Sequence, residues 1–159
     1  MSVPPYTIRR ATVDDVDAIF RLNAQMAERK MMLSRSKYKI VTLLPTFFVG
    51  EDQAGKIIAC GSCSVLWTDM AEICALAVTD EWQGKGVGVA LVQGLIAEAK
   101  RMRIPRLITL TYQVEFFRKS GFQVENKDAF PRKLWRECLE CPKLEACDET
   151  AMYLDLVLD

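Results

Sequence analysis

The sequence predicts a single α/β domain, with helices flanking a β-sheet. Strand-like apolar segments alternate with amphipathic segments in the order β-α-α-β-β-β-α-β-α-β-β. One helix has an unbroken apolar stripe, in which Val87, Leu91, Leu95 and Ala99 repeat every four residues. The strand before this helix is mostly apolar, as is typical of a sheet that is covered on both faces. At 159 residues, the whole chain 1–159 is predicted to be one domain with its own core.

The first half of the chain is predicted to contain a strand, two helices and a β-hairpin. Thr12 precedes two aspartates, the pattern of a helix N-cap followed by acids in the first turn. The apolar stripe of that helix has one polar position, Asn23. A second helix within residues 31–44 is expected to end before Pro45. The predicted segments are strand 6–9, helix 16–27, and strands 47–51 and 56–66 joined by the turn 52–55.

The second half is predicted to alternate strands and helices. Pro105 ends the long helix, and Gly121 suits the left-handed position after a short one. Residues 126–150 form an insert before the last strand and carry three of the six cysteines. The predicted segments are strand 71–78, helix 87–102, strand 106–112, helix 114–120, and strands 122–125 and 151–158.

Composition excludes several classes of protein. Twenty-one basic residues balance twenty-one acidic ones and no basic tail is present, so neither a nucleic acid nor a membrane is predicted as a partner. No apolar run is long enough for a secretion signal or a membrane span, which predicts a cytoplasmic protein with free thiols. The sequence has no histidine, which excludes Ser-His-Asp and Cys-His catalysis and histidine-ligated zinc.

A glycine-rich turn connects the apolar strand to the long helix. Gln83-Gly84-Lys85-Gly86-Val87-Gly88 would leave bare backbone N–H groups at the positive end of the helix dipole, which is an anion site. It is neither a Walker A loop, since Gly-Lys-Ser/Thr is absent, nor a dinucleotide fingerprint, since the glycine spacing differs. A flexible loop without function is the alternative. On its own, the turn predicts a pyrophosphate site.

The pattern Gln83-x-x-Gly86-x-Gly88 resembles the coenzyme A pyrophosphate loop of the GNAT acetyltransferase superfamily. Residues 76–82, the pattern Phe117-x-x-x-Gly121-Phe122 and the order of elements over nearly the full chain fit the same family. The resemblance implies a mixed β-sheet that splays after its third major strand, with acetyl-CoA in the split. It also implies that Leu76, Ala77 and Val78 bind the pantetheine arm and that residues 83–88, with Phe117, complete the coenzyme site.

Acetyl transfer requires a neutral amine, and a carboxylate can remove its proton. Glu72 is the carboxylate within strand 71–78, and many GNAT enzymes have their general base at this position. The alternative is a glutamate exposed at a strand end. Many members place a tyrosine acid where this chain has Phe117, so Tyr112 is the candidate general acid. The alternatives are that Tyr112 only packs, or that the thiolate leaves without an acid.

Further residues resemble the acetyltransferase domain of N-acetylglutamate synthase, and in particular its short stand-alone bacterial form. These are residues 8–12, 33–36 and 72–78, and the tail Pro131-x-Lys133-x-Trp135-x-x-Cys138-x-x-Cys141-Pro142 with 147–149. The resemblance implies an amino-acid acceptor, with glutamate first. Its carboxylates favour basic partners, for which Arg35 is the first candidate, followed by Lys133 and Arg132. Another amine, a protein N-terminus and a non-catalytic acyl-CoA sensor are the alternatives.

Cys138, Cys141 and Cys147 are predicted to lie together near the acceptor site. The C-x₂-C-x₅-C spacing allows a metal site, packed reduced thiols or a redox-labile pair. The chemistry itself requires no metal. A homodimer is compatible with the sequence.

Overall fold

The computed structural model describes residues 5–126, 129 and 149–158. Seven strands form one sheet in the order β1-β2-β3-β4-β5-β7-β6. All neighbouring strands are antiparallel except β4 and β5, which run parallel. The strands are β1 Tyr6–Arg10, β2 Phe47–Asp52, β3 Ile57–Trp67, β4 Met70–Val78, β5 Arg106–Thr111, β6 Gln123–Glu125 and β7 Thr150–Asp155.

Four helices flank the sheet: α1 Val16–Glu28, α2 Lys37–Leu43, α3 Val87–Arg101 and α4 Val114–Lys119. The predicted order of elements is confirmed, and so is the mixed sheet. The prediction for the last strand was too long, because β7 pairs with β5 only as far as Asp155. Among the described residues, no helix is both long and apolar enough to cross a membrane.

Apolar clusters cover both faces of the sheet. The apolar stripe of α3 buries Val92, Leu95 and Ala99 against Cys63 and Ile73 on one face. On the other face, α1 and α2 pack against the first residues of β2 and against β3 and β4. Since consecutive residues of a strand point to opposite faces, β3 and β4 each contribute one set of side chains to α3 and another to α1 and α2.

An ion-pair network fixes the start of α1. Asp15 is 4% exposed and accepts hydrogen bonds from Arg9 at 2.8 and 3.0 Å and from the backbone N–H of Thr12 at 2.7 Å. The guanidinium of Arg9 also donates to Glu51 at 2.6 Å. The Arg9 hydrogen bond holds the pKa of the Asp15 carboxyl below its usual range. This network joins the start of α1 to β1 and β2.

Candidate active site

The sheet opens between β4 and β5. The two strands pair only at Ala71↔Leu107 and Glu72↔Ile108, although β4 continues to Val78. Just past the last pair, the Thr109 hydroxyl donates to the Ile73 carbonyl at 2.9 Å. The remaining six residues of β4 extend for about 20 Å. Within the described part of the chain, no strand lies beside them on the β5 side. This stretch therefore presents a strand edge to an extended ligand, although its carbonyls at Ile73, Ala75 and Val78 already accept side-chain hydrogen bonds.

A β-bulge lies in the middle of this open edge. Ala75 has φ 56°, a left-handed conformation that costs an L-residue about 1–2 kcal/mol. The register of β3 with β4 shifts at this point, between Cys60↔Ala77 and Ser62↔Cys74. A Cβ on Gly61 would lie 3.0 Å from the Leu76 side chain, so a larger residue at position 61 would push Leu76, the neighbour of Ala75, out of its present position.

The thiol of Cys60, on the neighbouring strand β3, contacts the bulge. The residue is fully buried, and its thiol donates to the carbonyl of Ala75 at 3.4 Å. Burial raises the pKa of Cys60 to about 12, with the positive charge of Arg35 opposing this shift. The thiol therefore stays protonated at neutral pH and remains a donor to the strained residue.

The glycine-rich turn has the geometry of an anion site. Gly84 and Gly86 have φ 76° and 86°, and Gly86 is the N-cap of α3. The first intrahelical bond of α3 runs from the N–H of Ala90 to Gly86, so the preceding N–H groups have no partner within the helix. No acid occupies the first turn of α3. The positive end of the helix dipole therefore fits a bound phosphate group.

Side chains around the turn hold its shape. Gln83 donates to the carbonyl of Val78 at 3.2 Å and to Asp80 at 3.3 Å, and Arg29 at the end of α1 binds Asp80 through two contacts of 2.9 Å. The Nζ of Lys85 lies 5.4 Å from the ring centroid of Trp82. The turn is thus tied to both β4 and α1.

Glu72 and Cys74 lie on the face of β4 that is opposite α3. Glu72 is 3% exposed, so the alternative of a glutamate in solvent at a strand end is wrong. Arg35, in the connection between α1 and α2, is 8% exposed and donates to the carbonyl of Leu33 at 3.2 Å. Its charge acts on Cys60 of the same face. The structure therefore brings the predicted base and the predicted carboxylate-binding residue to one side of the sheet.

The remaining predicted residues are distributed as follows. Tyr112 directly follows β5 and is half-buried. Phe117 is 3% exposed and packs edge-to-face against Phe116 and Phe122 in the core beside α3, and its contact with coenzyme stays a prediction. A Cβ on Gly88 would lie 3.1 Å from the ring of Phe116, which accounts for the third glycine of the turn by packing.

Five predicted residues lie outside the described part of the chain: Arg132, Lys133, Cys138, Cys141 and Cys147. Their proximity to the site stays a prediction. Within the described residues, no cluster of acids and cysteines could hold a metal ion.

Comparison with known proteins identifies this arrangement. The model of the acetyltransferase (GNAT) family matches residues 16–122. This chain belongs to the GNAT acetyltransferase family. An uncharacterized N-acetyltransferase of Chlorobaculum tepidum is 37% identical, covering 94% of this chain and 96% of the relative. An amino-acid acetyltransferase of Mycobacterium tuberculosis is 36% identical, covering 72% and 67%.

Two solved structures are similar as well. A Mycobacterium tuberculosis protein in complex with CoA and NLQ has a TM-score of 0.83 and 29% identity, over 95% of this chain and 99% of that one. N-acetylglutamate synthase from Neisseria gonorrhoeae, complexed with coenzyme A and N-acetyl-glutamate, has a TM-score of 0.84 and 25% identity, over 98% of this chain and 36% of that one. This GNAT enzyme is an N-acetyltransferase, with acetyl-CoA as the acetyl donor.

Several residues with a role in the site geometry were not singled out from the sequence. They are Cys60 and Thr109, which support the bulge and the split, and Ser62 and Ser64, which lie on the same face as Glu72. The period-two spacing of Cys60, Ser62 and Ser64 within an apolar strand was the pattern that could have identified these three residues of β3.

The support of the bulge can be tested by a double-mutant cycle. Cys60→Ala removes the donor to Ala75, so we expect the KM for acetyl-CoA to rise by about three- to tenfold. Cys60→Ser keeps a donor and should have a smaller effect. Ala75→Gly in the Cys60→Ala background should restore the KM, since glycine adopts φ > 0 without a Cβ penalty. The cycle compares the wild type, Cys60→Ala, Ala75→Gly and the double variant by steady-state kinetics. Strictly additive effects on the KM for acetyl-CoA would contradict this role for Cys60.

The anion site can be tested at Gly86, where an added Cβ would meet only the Tyr6 hydroxyl at 3.8 Å. Gly86→Glu and Gly86→Gln have the same size and the same backbone strain, and differ in charge. We expect Gly86→Glu to bind acetyl-CoA at least about tenfold more weakly than Gly86→Gln, because the added carboxylate lies at the phosphate position. Titration calorimetry measures both affinities, and equal values would place the pyrophosphate elsewhere.

Proposed function

We propose that this enzyme transfers the acetyl group of acetyl-CoA to the α-amino group of an amino acid, and that glutamate is the acceptor. The observation that carries the proposal is the placement of two buried charged residues, Glu72 and Arg35, on the side of the sheet that is opposite α3. Support comes from the amino-acid acetyltransferase among the relatives and from the similar synthase structure with N-acetyl-glutamate.

In this proposal the donor lies along the open edge of β4. The turn at residues 83–88 binds the pyrophosphate through backbone N–H groups, and the backbone of Leu76, Ala77 and Val78 pairs with the pantetheine arm. Because β4 runs from Glu72 towards this turn, a ligand extended along the strand brings its far end close to Glu72. The thioester would then lie beside the carboxylate.

Glu72 has the role of general base in the proposed reaction. It accepts a proton from the ammonium group of the acceptor, which leaves a neutral amine. The nitrogen lone pair attacks the thioester carbonyl, a C–N bond forms, the C–S bond breaks and the thiolate leaves. Tyr112 is the candidate donor of a proton to that thiolate, from its position directly after β5.

Arg35 has the role of a carboxylate-binding residue. A guanidinium can bind a carboxylate through two parallel hydrogen bonds, which fixes both the position and the orientation of an amino acid. The connection that carries Arg35 is joined to α1, because the side-chain amide of Asn23 donates to the sulfur of Met32 at 3.0 Å. Lys133 and Arg132 remain proposed partners of the second carboxylate.

The base is tested with Glu72→Gln, which keeps the shape of the side chain and removes its ability to accept a proton. We expect kcat to fall by about 10²- to 10⁴-fold, with little change in acetyl-CoA affinity. Glu81→Gln serves as the control, because Glu81 is an exposed carboxylate in the turn after β4. Measurement of turnover by release of the free thiol, together with binding by calorimetry, distinguishes the two effects. A variant with normal turnover would move the base to another residue.

The acceptor is tested by acetyl-CoA turnover against a panel of amino acids, with non-amino-acid amines included. We expect glutamate to give the highest kcat/KM. Arg35→Ala should raise the KM for glutamate by about tenfold or more, because charge-assisted hydrogen bonds are lost, while the KM for acetyl-CoA changes little. If another amine is acetylated and glutamate is not, the acceptor assignment is wrong, and the enzyme class stands.

A further inference from the structure

A chain of hydroxyl groups runs across the sheet on the face that carries Glu72. It begins at Thr46, in the turn before β2, whose hydroxyl lies 2.6 Å from that of Ser62. Ser62 in turn lies 3.0 Å from Ser64 on the same strand. The hydroxyl of Ser64 lies 3.7 Å from the thiol of Cys74 across the strand pair. Ser62 is fully buried and Ser64 is 7% exposed, so water does not compete for these bonds at the centre of the chain.

The direction of this chain is determined by its first member. Thr46 also lies 2.6 Å from the backbone carbonyl of Leu43, and a carbonyl can only accept. The single hydrogen of Thr46 is therefore used, and Ser62 must donate to Thr46. By the same argument, Ser64 must donate to Ser62. All three hydroxyl hydrogens point towards Leu43.

Ser64 is consequently left as an acceptor at the other end of the chain. Its hydrogen is committed to Ser62, and a hydroxyl oxygen accepts up to two hydrogen bonds. A thiol hydrogen from Cys74 can occupy one of these positions. Ser64 lies directly opposite Glu72 in the β3–β4 register, so the two side chains share a face with their Cβ atoms about 5 Å apart. The two residues present acceptor atoms side by side.

We infer that the Ser64 hydroxyl accepts a hydrogen bond from the attacking nitrogen of the acceptor and that Ser62 and Thr46 are positioning residues that keep it in the accepting orientation. The inference rests on the proposed function, because it places the amine at Glu72. A neutral primary amine has two N–H hydrogens and one lone pair. Once Glu72 has taken the third hydrogen of the ammonium group as a proton, Ser64 would accept a hydrogen bond from one of the two that remain, and so hold the nitrogen while its lone pair attacks the thioester. An alcohol has one hydrogen and would leave one of the acceptors unmatched, so the pair favours amines.

The decisive variant changes Thr46, at the end of the hydroxyl chain that is farthest from Glu72. Thr46→Val keeps the shape of the side chain and removes the oxygen to which Ser62 donates. Ser62, and then Ser64, can reverse, and the Ser64 hydrogen would point at the amine. We expect the KM for the acceptor to rise by about three- to tenfold, while the KM for acetyl-CoA is unchanged. Thr46→Ser restores the hydroxyl and should recover most of the loss.

A matched control is available on α2. The hydroxyl of Thr42 donates to the carbonyl of Lys39 at 2.8 Å, the same type of backbone contact, but Thr42 is exposed and lies outside the chain of hydroxyls. Thr42→Val should therefore leave both KM values as in the wild type. Ser64→Ala provides a second test if Thr46→Val does not fold, and it should raise the acceptor KM by about the same factor.

The KM values of the variants decide the matter. A rise in the acceptor KM for Thr46→Val and Ser64→Ala, with recovery in Thr46→Ser, supports the inference. Unchanged acceptor KM values, or equal increases for both substrates, overturn it. The wild type is assayed first on the amine panel. If it acetylates an amine other than an amino acid, the proposed acceptor is wrong, and the same variants test the hydroxyl chain with that amine. If it acetylates no amine, both proposals are wrong.

Discussion

Beyond Glu72, β4 and β5 are no longer paired, and the arrangement of the site depends on this separation. Parallel strands that diverge leave a row of backbone donors and acceptors that must be satisfied by something else. In this structure the Thr109 hydroxyl satisfies the first of them, at Ile73. Three further features shape the stretch of β4 after Ile73: the strained backbone of Ala75, the buried thiol of Cys60 and the glycine at position 61. These features are unfavourable or unnecessary in a closed sheet, and together they shape an edge that an extended ligand can pair with.

The sheet also separates two chemical environments. On the α3 side, an apolar stripe of the helix packs against the sheet, and the buried charge of Glu98 is paired with Arg10 and Arg101. On the α1 and α2 side, the residues of β3 and β4 near the split include hydroxyls, a thiol and a carboxylate. Buried polar groups are costly unless they are paired, and pairing makes their geometry specific. The proposed acceptor site therefore lies on the face where hydrogen bonds fix the orientation of the side chains.

The sequence was sufficient for the order of elements because local patterns determine it. The stripe of α3, the acids after Thr12 and the stop at Pro105 are each visible within one helix. The glycine-rich turn was identified because its glycines stand together at the start of a helix, and the structure shows Gly84 and Gly86 with positive φ. The bulge was not visible, because alanine at position 75 gives no indication of a positive φ. The directional hydroxyl chain was not visible either, since it depends on contacts between Thr46 and β3 that are distant along the chain.

One property of β4 has a wider meaning for how such enzymes diversify. In the proposed function, the strand offers its backbone edge to the donor and alternate side chains, such as Glu72 and Cys74, to the acceptor side. Backbone pairing is indifferent to side-chain identity, whereas recognition by side chains is not. Mutations at these alternate positions can therefore alter which amine is acetylated while the binding of acetyl-CoA is kept. A lineage built on this strand can explore new substrates one residue at a time, without an intermediate that has lost its source of acetyl groups.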